Sequence, residues 1–122
     1  MAPEIRFQSL KGTDTFKKML SSQKFNSNFF TIYFDKRNEK NKNNDIAISF
    51  VSAKKLGTAV KRNRIKRRLK MAALKAIREL NNFNKSYQYA VFAKSKVYDA
   101  NFENLVEEFK NKLGLINNVK KN

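Results

Sequence analysis

Cysteine and histidine are both missing from the sequence of 122 residues. Without cysteine the chain can form neither a disulfide nor a thiolate metal site, and a reducing compartment is its natural setting. Without histidine the usual zinc sites cannot be built and the most frequent general base is absent. The ten carboxylates are dispersed, with no glycine-rich phosphate loop or nucleophile motif. We therefore expect no catalytic residue, metal ligand, cofactor or small-molecule substrate for the chain itself.

Long apolar stretches are missing as well. No run approaches the roughly 18 to 20 apolar residues that a membrane-spanning helix needs. Residues 1–12 also lack the apolar segment of a signal peptide. We expect a cytoplasmic protein without a membrane partner.

Acidic residues are scarce and unevenly placed. The chain has 27 Lys or Arg against 10 Asp or Glu, which gives a formal net charge of +17. No acid occurs between Asp45 and Glu79, whereas residues 54–75 carry ten Lys or Arg. Like charges three and four apart on a helix repel one another, so this concentration predicts a polyanionic partner. A nucleic acid is the main candidate, and charge alone does not separate RNA from DNA.

The length and the 41% of hydrophobic residues predict a single domain over residues 1–122 with one modest core. We expect flexible ends at residues 1–10 and 117–122. Periodicity predicts a short first helix capped by Thr13 or Asp14, and a final amphipathic helix capped by Asp99 or Asn101. Runs of β-branched and aromatic residues predict strands at residues 29–34, 46–51 and 87–93, and a solvated loop at residues 35–45.

A central helix is predicted from about residue 58 to residue 81. Its apolar residues form one stripe about 100° wide, typical of a helix that packs on a sheet: Ile65, Leu69, Ala72, Ala73, Ala76 and Leu80. Projected at about 100° per residue, the basic side chains flank this stripe on both sides, with Lys61, Arg64, Arg68 and Lys75 on one side and Lys66 and Lys70 on the other.

The arginines of this helix suit phosphate binding, because a planar guanidinium offers five donors in a fixed fork. Asn63 is a poor helix former and allows two interpretations: it ties the helix start to the preceding turn, or it contacts RNA. Among the aromatic residues, Phe16 on the short first helix is the candidate for a nucleic-acid contact. We expect Phe30, Ile32 and Phe34 to lie in the core instead.

Residues 53–69, which read AKKLGTAVKRNRIKRRL, resemble a known signature. It is that of the protein subunit of bacterial ribonuclease P, in which S-K-K-x-G-x-A-V-x-R-N precedes a basic K-R segment. A weaker resemblance covers almost the whole chain, including Phe16 in the first helix and the strand that ends at residues 91–94. Leu20 stands at a position that is often aromatic in the family.

The resemblance implies an α+β fold, a two-layer sandwich of element order αβββαβα with a four-stranded mixed sheet and a basic central helix. The sequence pattern alone does not predict one of these strands, around residues 24–28. The family is also known for a left-handed βαβ crossover around the basic helix, an arrangement shared with a ribosomal protein domain. Pattern reasoning alone favours a right-handed crossover.

The resemblance also implies a function, that of an RNA-binding subunit of a ribonucleoprotein endoribonuclease. Its partners are the ribonuclease P RNA and precursor tRNA, whose 5′ leader is removed to form the mature 5′ end. Hydrolysis is expected from the RNA subunit with Mg²⁺. The implied RNA-binding residues are Lys54, Lys55, Lys61, Arg62, Asn63, Arg64, Lys66, Arg67, Arg68 and Lys70, and the implied leader-cleft residues are Phe16 and Leu20.

Two alternatives use the same basic helix. A ribosomal or general RNA-binding protein would bind RNA without any associated cleavage. A surface helix on an anionic membrane would require a broad apolar face, and the small, alanine-rich stripe of this helix argues against it.

Overall fold

The structure is a computed structural model that describes residues 5–10, 13–37, 45–80, 83 and 86–117. Within these residues the elements are, in chain order, β1 (Phe7–Gln8), α1 (Thr13–Leu20), β2 (Gln23–Asn26), β3 (Phe30–Lys36), β4 (Ile46–Val51), α2 (Ala59–Glu79), β5 (Tyr87–Ala93) and α3 (Phe102–Asn117). Two 3₁₀ turns, Lys54–Leu56 and Ser95–Tyr98, precede α2 and α3.

The strands form one mixed sheet in the order β1-β4-β5-β3-β2. β4 is parallel to both β1 and β5, whereas β3 is antiparallel to β5 and β2. Because α2 connects the adjacent parallel strands β4 and β5, these three elements form a βαβ unit. The expected α+β architecture with a mixed sheet is confirmed, and the left-handed sense of the crossover stays a prediction.

The strand count differs from the expectation, because the sheet has five strands and four were expected. The added strand is β1, which lies within the segment expected to be flexible; residues 1–4 of that segment are outside the described part. Two residues are too short to show a periodic pattern, so only tertiary pairing reveals them. Phe7 and Gln8 pair with Ile46 and Ala47, and the Phe7 ring lies 5.7 Å from that of Phe50.

The other elements follow the sequence pattern closely. β4 and β5 have the predicted bounds, and the β2 strand implied by the resemblance is present. β3 extends beyond its apolar run to Lys36, because main-chain pairing with β5 continues through Asp35 and Lys36. α3 is capped by Asn101, whose Oδ1 accepts hydrogen bonds from the amides of Glu103 and Asn104. Residues 38–44 of the predicted loop lie outside the described residues.

The core lies between one face of the sheet and the helices α2 and α3. Phe30, Ile32 and Phe34 are buried there, as predicted, and Phe30 stacks on Phe109 of α3 with ring centroids 4.2 Å apart. The alanines of the predicted α2 stripe are fully buried, and their small side chains let α2 approach the rest of the core closely.

The two helices α2 and α3 are also joined by a polar contact. Lys110 of α3 donates a hydrogen bond to Glu79 of α2, and this bond lowers the pKa of the Glu79 carboxyl.

The helix α1 lies on the opposite face of the sheet. Side chains of β5 alternate between the two faces, so Gln88 points away from the face that carries Tyr87 and Tyr89 in the core. Gln88 Nε2 donates to Sδ of Met19, which is fully buried in α1. The sheet therefore separates α1 from α2 and α3, except beyond Ala47, where β1 no longer pairs with β4.

Two kinds of feature do not occur among the described residues. No helix there is long and apolar enough to cross a membrane. No group of three or more His, Cys, Asp or Glu residues there is placed to hold a metal ion.

Candidate nucleic-acid interface

A sharp turn between β4 and α2 starts the basic helix. Gly57 has a φ of 137°, which residues with a Cβ rarely adopt, and a Cβ at this position would lie 2.7 Å from Lys61 Cδ. Thr58 caps α2, since its Oγ1 accepts a hydrogen bond from the Lys61 amide at 3.2 Å. Arg62 folds back and donates from Nε to the Gly57 carbonyl at 3.2 Å. The turn thus fixes the position of the first cations of α2.

The cations predicted to bind RNA have no carboxylate partner among the described residues. The only carboxylate in α2 is Glu79, its last residue. The predicted residues are all exposed or half-buried: Lys54, Lys55, Lys61, Arg62, Asn63, Arg64, Lys66, Arg67, Arg68 and Lys70. Within the described part of the chain, no cation of this set lies within 4.0 Å of a carboxylate oxygen. Their mutual repulsion is therefore not relieved by any carboxylate of the described residues.

A groove of about 730 Å³ lies along the edge of β4, beside one flank of α2. Its walls are formed by Phe7 and Ser9 near β1, Phe16 of α1, residues 48–52, and Asn63, Lys66, Arg67 and Lys70 of α2. We call these last four residues the groove flank. The groove brings together Phe16 and four predicted RNA-binding residues from a segment more than forty positions away in the sequence. An aromatic ring beside several cations can hold a base and its phosphates.

The two residues predicted for the leader cleft are placed differently. Phe16 is half-buried and lines the groove. Leu20, the last residue of α1, is 53% exposed and is not among the residues that line it. The structure therefore brings Phe16, and not Leu20, to the groove flank.

Asn63 was open to two interpretations, and the structure bears on both. The capping interaction at the helix start is made by Thr58, five positions earlier. Asn63 is exposed and lines the groove. Its side chain is therefore available as a donor and an acceptor in the groove.

The opposite flank of α2 faces the Ser95–Tyr98 turn and α3; we call Lys61, Arg64, Arg68 and Lys75 the turn flank. Arg68 donates from Nε to the Val97 carbonyl at 3.0 Å and from Nη2 to the Ala100 carbonyl. Lys61 Nζ and Arg64 Cζ each lie 5.0 Å from the centroid of the Tyr98 ring. Lys75 pairs with Glu103 of α3 at 3.0 Å. Each cation of this flank therefore has a partner within the protein.

Sequence reasoning missed two residues near this interface. Tyr98 gave only a faint signal, as an aromatic residue in a short polar turn between a strand and a helix. Ser49 lines the groove and its Oγ accepts a hydrogen bond from the Leu10 amide at 2.8 Å. This bond holds the segment after β1 beside the groove, and nothing in the sequence indicates it.

Comparisons with known proteins agree with this geometry. The family model described as Ribonuclease P matches residues 5–117 of the chain. The ribonuclease P protein component of Mesoplasma florum is 32% identical over 105 residues, which cover 85% of this chain and 89% of that protein.

Solved structures share the fold at lower identity. The RNase P protein of Staphylococcus aureus superposes with a TM-score of 0.68 at 19% identity, covering 88% of this chain and 94% of that one. The RNase P protein of Thermotoga maritima gives a TM-score of 0.69 at 18% identity, covering 93% and 99%. With the family match over nearly the whole chain, these findings show that the chain belongs to the ribonuclease P protein family.

Proposed function

We propose that the chain binds the RNA subunit of ribonuclease P through α2 and the turn before it, and the 5′ leader of precursor tRNA in the groove. Family membership makes it a component of a ribonucleoprotein endoribonuclease. The observation that carries the proposal is the set of exposed cations on α2 without a carboxylate partner among the described residues. RNA phosphates turn this repulsion into attraction.

The groove supports the leader as its ligand. A single strand presents unpaired bases and a charged backbone together, and the groove is lined by aromatic rings, among them Phe16, and by the cations Lys66, Arg67 and Lys70. Stacking on an aromatic side chain is tolerant of base identity, since every base has a π-face. That tolerance suits a leader whose sequence differs from one precursor to the next.

The chemical step belongs to the RNA in this proposal. Phosphates of the RNA subunit would hold Mg²⁺, which when bound would supply the polarisation and the activated water for hydrolysis of the phosphodiester. The residues of this chain bind and orient: the cations of α2 neutralise phosphates and the groove holds the leader. We therefore expect the protein to raise substrate affinity and to lower the magnesium concentration that cleavage requires.

Reconstitution tests the proposal directly. The purified chain, added to bacterial ribonuclease P RNA at low magnesium, is expected to restore removal of the leader from precursor tRNA. If about six phosphates are contacted, the affinity for the RNA should fall with salt at a log–log slope of roughly −4 to −5. RNA binding with a slope near −1, or binding without restored maturation, would contradict the proposal. The second outcome is the one that a general RNA-binding protein would give.

Phe16→Ala tests the groove. We expect roughly tenfold weaker binding of precursor tRNA to the assembled enzyme, because a stacked base contributes about 1 to 3 kcal/mol. Binding of mature tRNA, which has no leader, should stay nearly unchanged. The matched control is Phe83→Ala, which removes a half-buried ring that packs on Tyr89 in the core. Equal losses for the two tRNA forms would remove Phe16 from the leader contact.

A further inference from the structure

The Ser95–Tyr98 turn places an aromatic ring against the cations at the start of α2. Lys61 Nζ and Arg64 Cζ are both 5.0 Å from the Tyr98 ring centroid, within the range of a cation–π contact. The ring of Tyr33, by comparison, has one cation, Lys24 Nζ, at 5.7 Å. Tyr98 is thus in contact with two side chains that the function proposed above assigns to RNA.

The turn itself is fixed to α2 by a third member of the same flank. Arg68 donates to the carbonyls of Val97 and Ala100, one on each side of Tyr98 in the sequence. Val97 is fully buried, so the turn is anchored from its apolar side as well. The position of the Tyr98 ring is therefore set by tertiary contacts and does not depend on a bound ligand.

The ring offsets a repulsion that is built into the helix. Lys61 and Arg64 are three positions apart, so their charges face one another on the helix surface. The negative face of an aromatic ring attracts both cations and limits the rotamers that they visit. Side chains of this length lose much rotamer freedom when a ligand orders them, and ordering them beforehand reduces that loss.

We propose that Tyr98 is a positioning residue for RNA binding, which holds Lys61 and Arg64 in one cluster, oriented for phosphate oxygens. The inference rests on RNA binding by α2 as proposed above. The cluster lies on the turn flank and is separate from the groove, whose lining includes none of these three residues. Its ligand is the backbone of the ribonuclease P RNA.

The test compares Tyr98→Phe with Tyr98→Leu by measuring the dissociation constant for the ribonuclease P RNA. A phenyl ring keeps the negative face, so Tyr98→Phe should bind like the unaltered protein. Leucine keeps an apolar side chain without that face, and we expect binding to weaken about three- to tenfold for the loss of two cation–π contacts. A Tyr98→Leu protein that binds as tightly as the unaltered one would overturn the inference.

Replacement of Tyr98 by pentafluorophenylalanine separates the ring's electrostatics from its shape. The fluorinated ring has nearly the size of phenylalanine, so the fold is kept, but its face is not negative. The inference predicts the weakening seen with leucine. Tight binding by the fluorinated protein would mean that packing alone explains Tyr98.

A double-mutant comparison separates positioning from direct stacking on RNA. In a Lys61→Met, Arg64→Met background, Tyr98→Leu should cause no further loss of affinity, because the ring acts through these two cations. A loss that persists in this background would show that the ring contacts RNA itself and would refute the positioning role. Phe83→Leu serves as the matched control for removing a half-buried ring elsewhere, and it should leave RNA affinity unchanged.

The unaltered protein separates this inference from the proposed function. Failure of the unaltered chain to bind the RNA overturns the proposed function, and the inference with it. Binding and restored maturation by the unaltered chain, with no effect of Tyr98→Leu, would overturn the inference alone.

Discussion

The two flanks of α2 have similar composition but different surroundings. The groove flank (Asn63, Lys66, Arg67 and Lys70) borders an open groove, and no cation in it has a carboxylate partner among the described residues. Every cation of the turn flank contacts a carbonyl, a carboxylate or the Tyr98 ring. The same residue types therefore have different surroundings on one helix: the turn flank joins α2 to its neighbours, whereas the groove flank lies beside an open groove.

This difference shows what a charge cluster in a sequence can hide. Residues 54–75 read as one uninterrupted basic segment, yet Arg68 uses its guanidinium to hold the turn before α3. In the function proposed above the charge of such a residue attracts RNA, and we expect its removal to cost stability as well. Effects on binding and on folding must therefore be measured together for each flank.

The largest expected effect comes from neutralising the groove flank. The triple variant Lys66→Gln, Arg67→Gln, Lys70→Gln should weaken RNA binding about a hundredfold near 0.1 M salt and reduce the salt slope by roughly 2 to 3, since three phosphate contacts are lost. The free energy of unfolding should stay the same or rise slightly, because repulsion between Lys66 and Lys70 costs about 0.2 to 0.5 kcal/mol.

A charge-matched variant provides the control for this experiment. Lys24→Gln, Lys36→Gln and Arg78→Gln together remove the same net charge at exposed positions that do not line the groove. This variant should lose much less affinity and keep most of the salt slope. Equal losses for the two triple variants would show that only total charge matters, and the comparison of flanks would fail.

The second effect concerns the turn flank and is expected in stability. Arg68→Met removes two hydrogen bonds from a charged donor and leaves the carbonyls of Val97 and Ala100 without it. We expect a loss of about 2 kcal/mol in the free energy of unfolding, measured by urea denaturation. Lys70→Met on the groove flank is the control and should change the free energy of unfolding by less than about 0.5 kcal/mol. A comparable loss in both variants would mean that the two flanks do not differ in their contribution to the free energy of unfolding.

The smallest effect is expected for Lys75, the turn-flank residue nearest the C-terminal end of α2. Lys75 and Glu103 form an ion pair whose side chains are 45% and 67% exposed. A double-mutant cycle with Lys75→Gln and Glu103→Gln should give a coupling of about 0.2 to 0.5 kcal/mol that disappears at high salt. A coupling above about 1 kcal/mol would mean that the contribution of this pair to stability is comparable with that of Arg68 and its hydrogen bonds to the turn.

The sequence predicts the long elements of this fold well, and the reasons are local. Alternation in residues 46–51 and 87–93 specifies strands buried on one or both faces, and the stripe from Ile65 to Ala76 specifies the buried side of α2. The two-residue β1 escapes such reasoning, because its existence depends on pairing with β4 and not on its own pattern.

The candidate site was predictable in composition but not in arrangement. The helical projection separated the two flanks correctly, and the basic residues near Gly57 marked the helix that carries them. The projection gave no information on which flank meets a groove and which meets the chain itself. That distinction depends on where the Ser95–Tyr98 turn and α1 lie, and both positions are set by contacts between residues far apart in the sequence.

The shortness of β1 has a consequence for the groove beside α2. β1 covers β4 only at Ile46 and Ala47, and the groove is lined by the residues that follow, beginning with Ile48 and Ser49. If the pairing of β1 with β4 continued for two more residues, main chain would lie along the part of β4 that lines the groove. The early end of β1 therefore leaves the β4 residues from Ile48 onward free to line the groove.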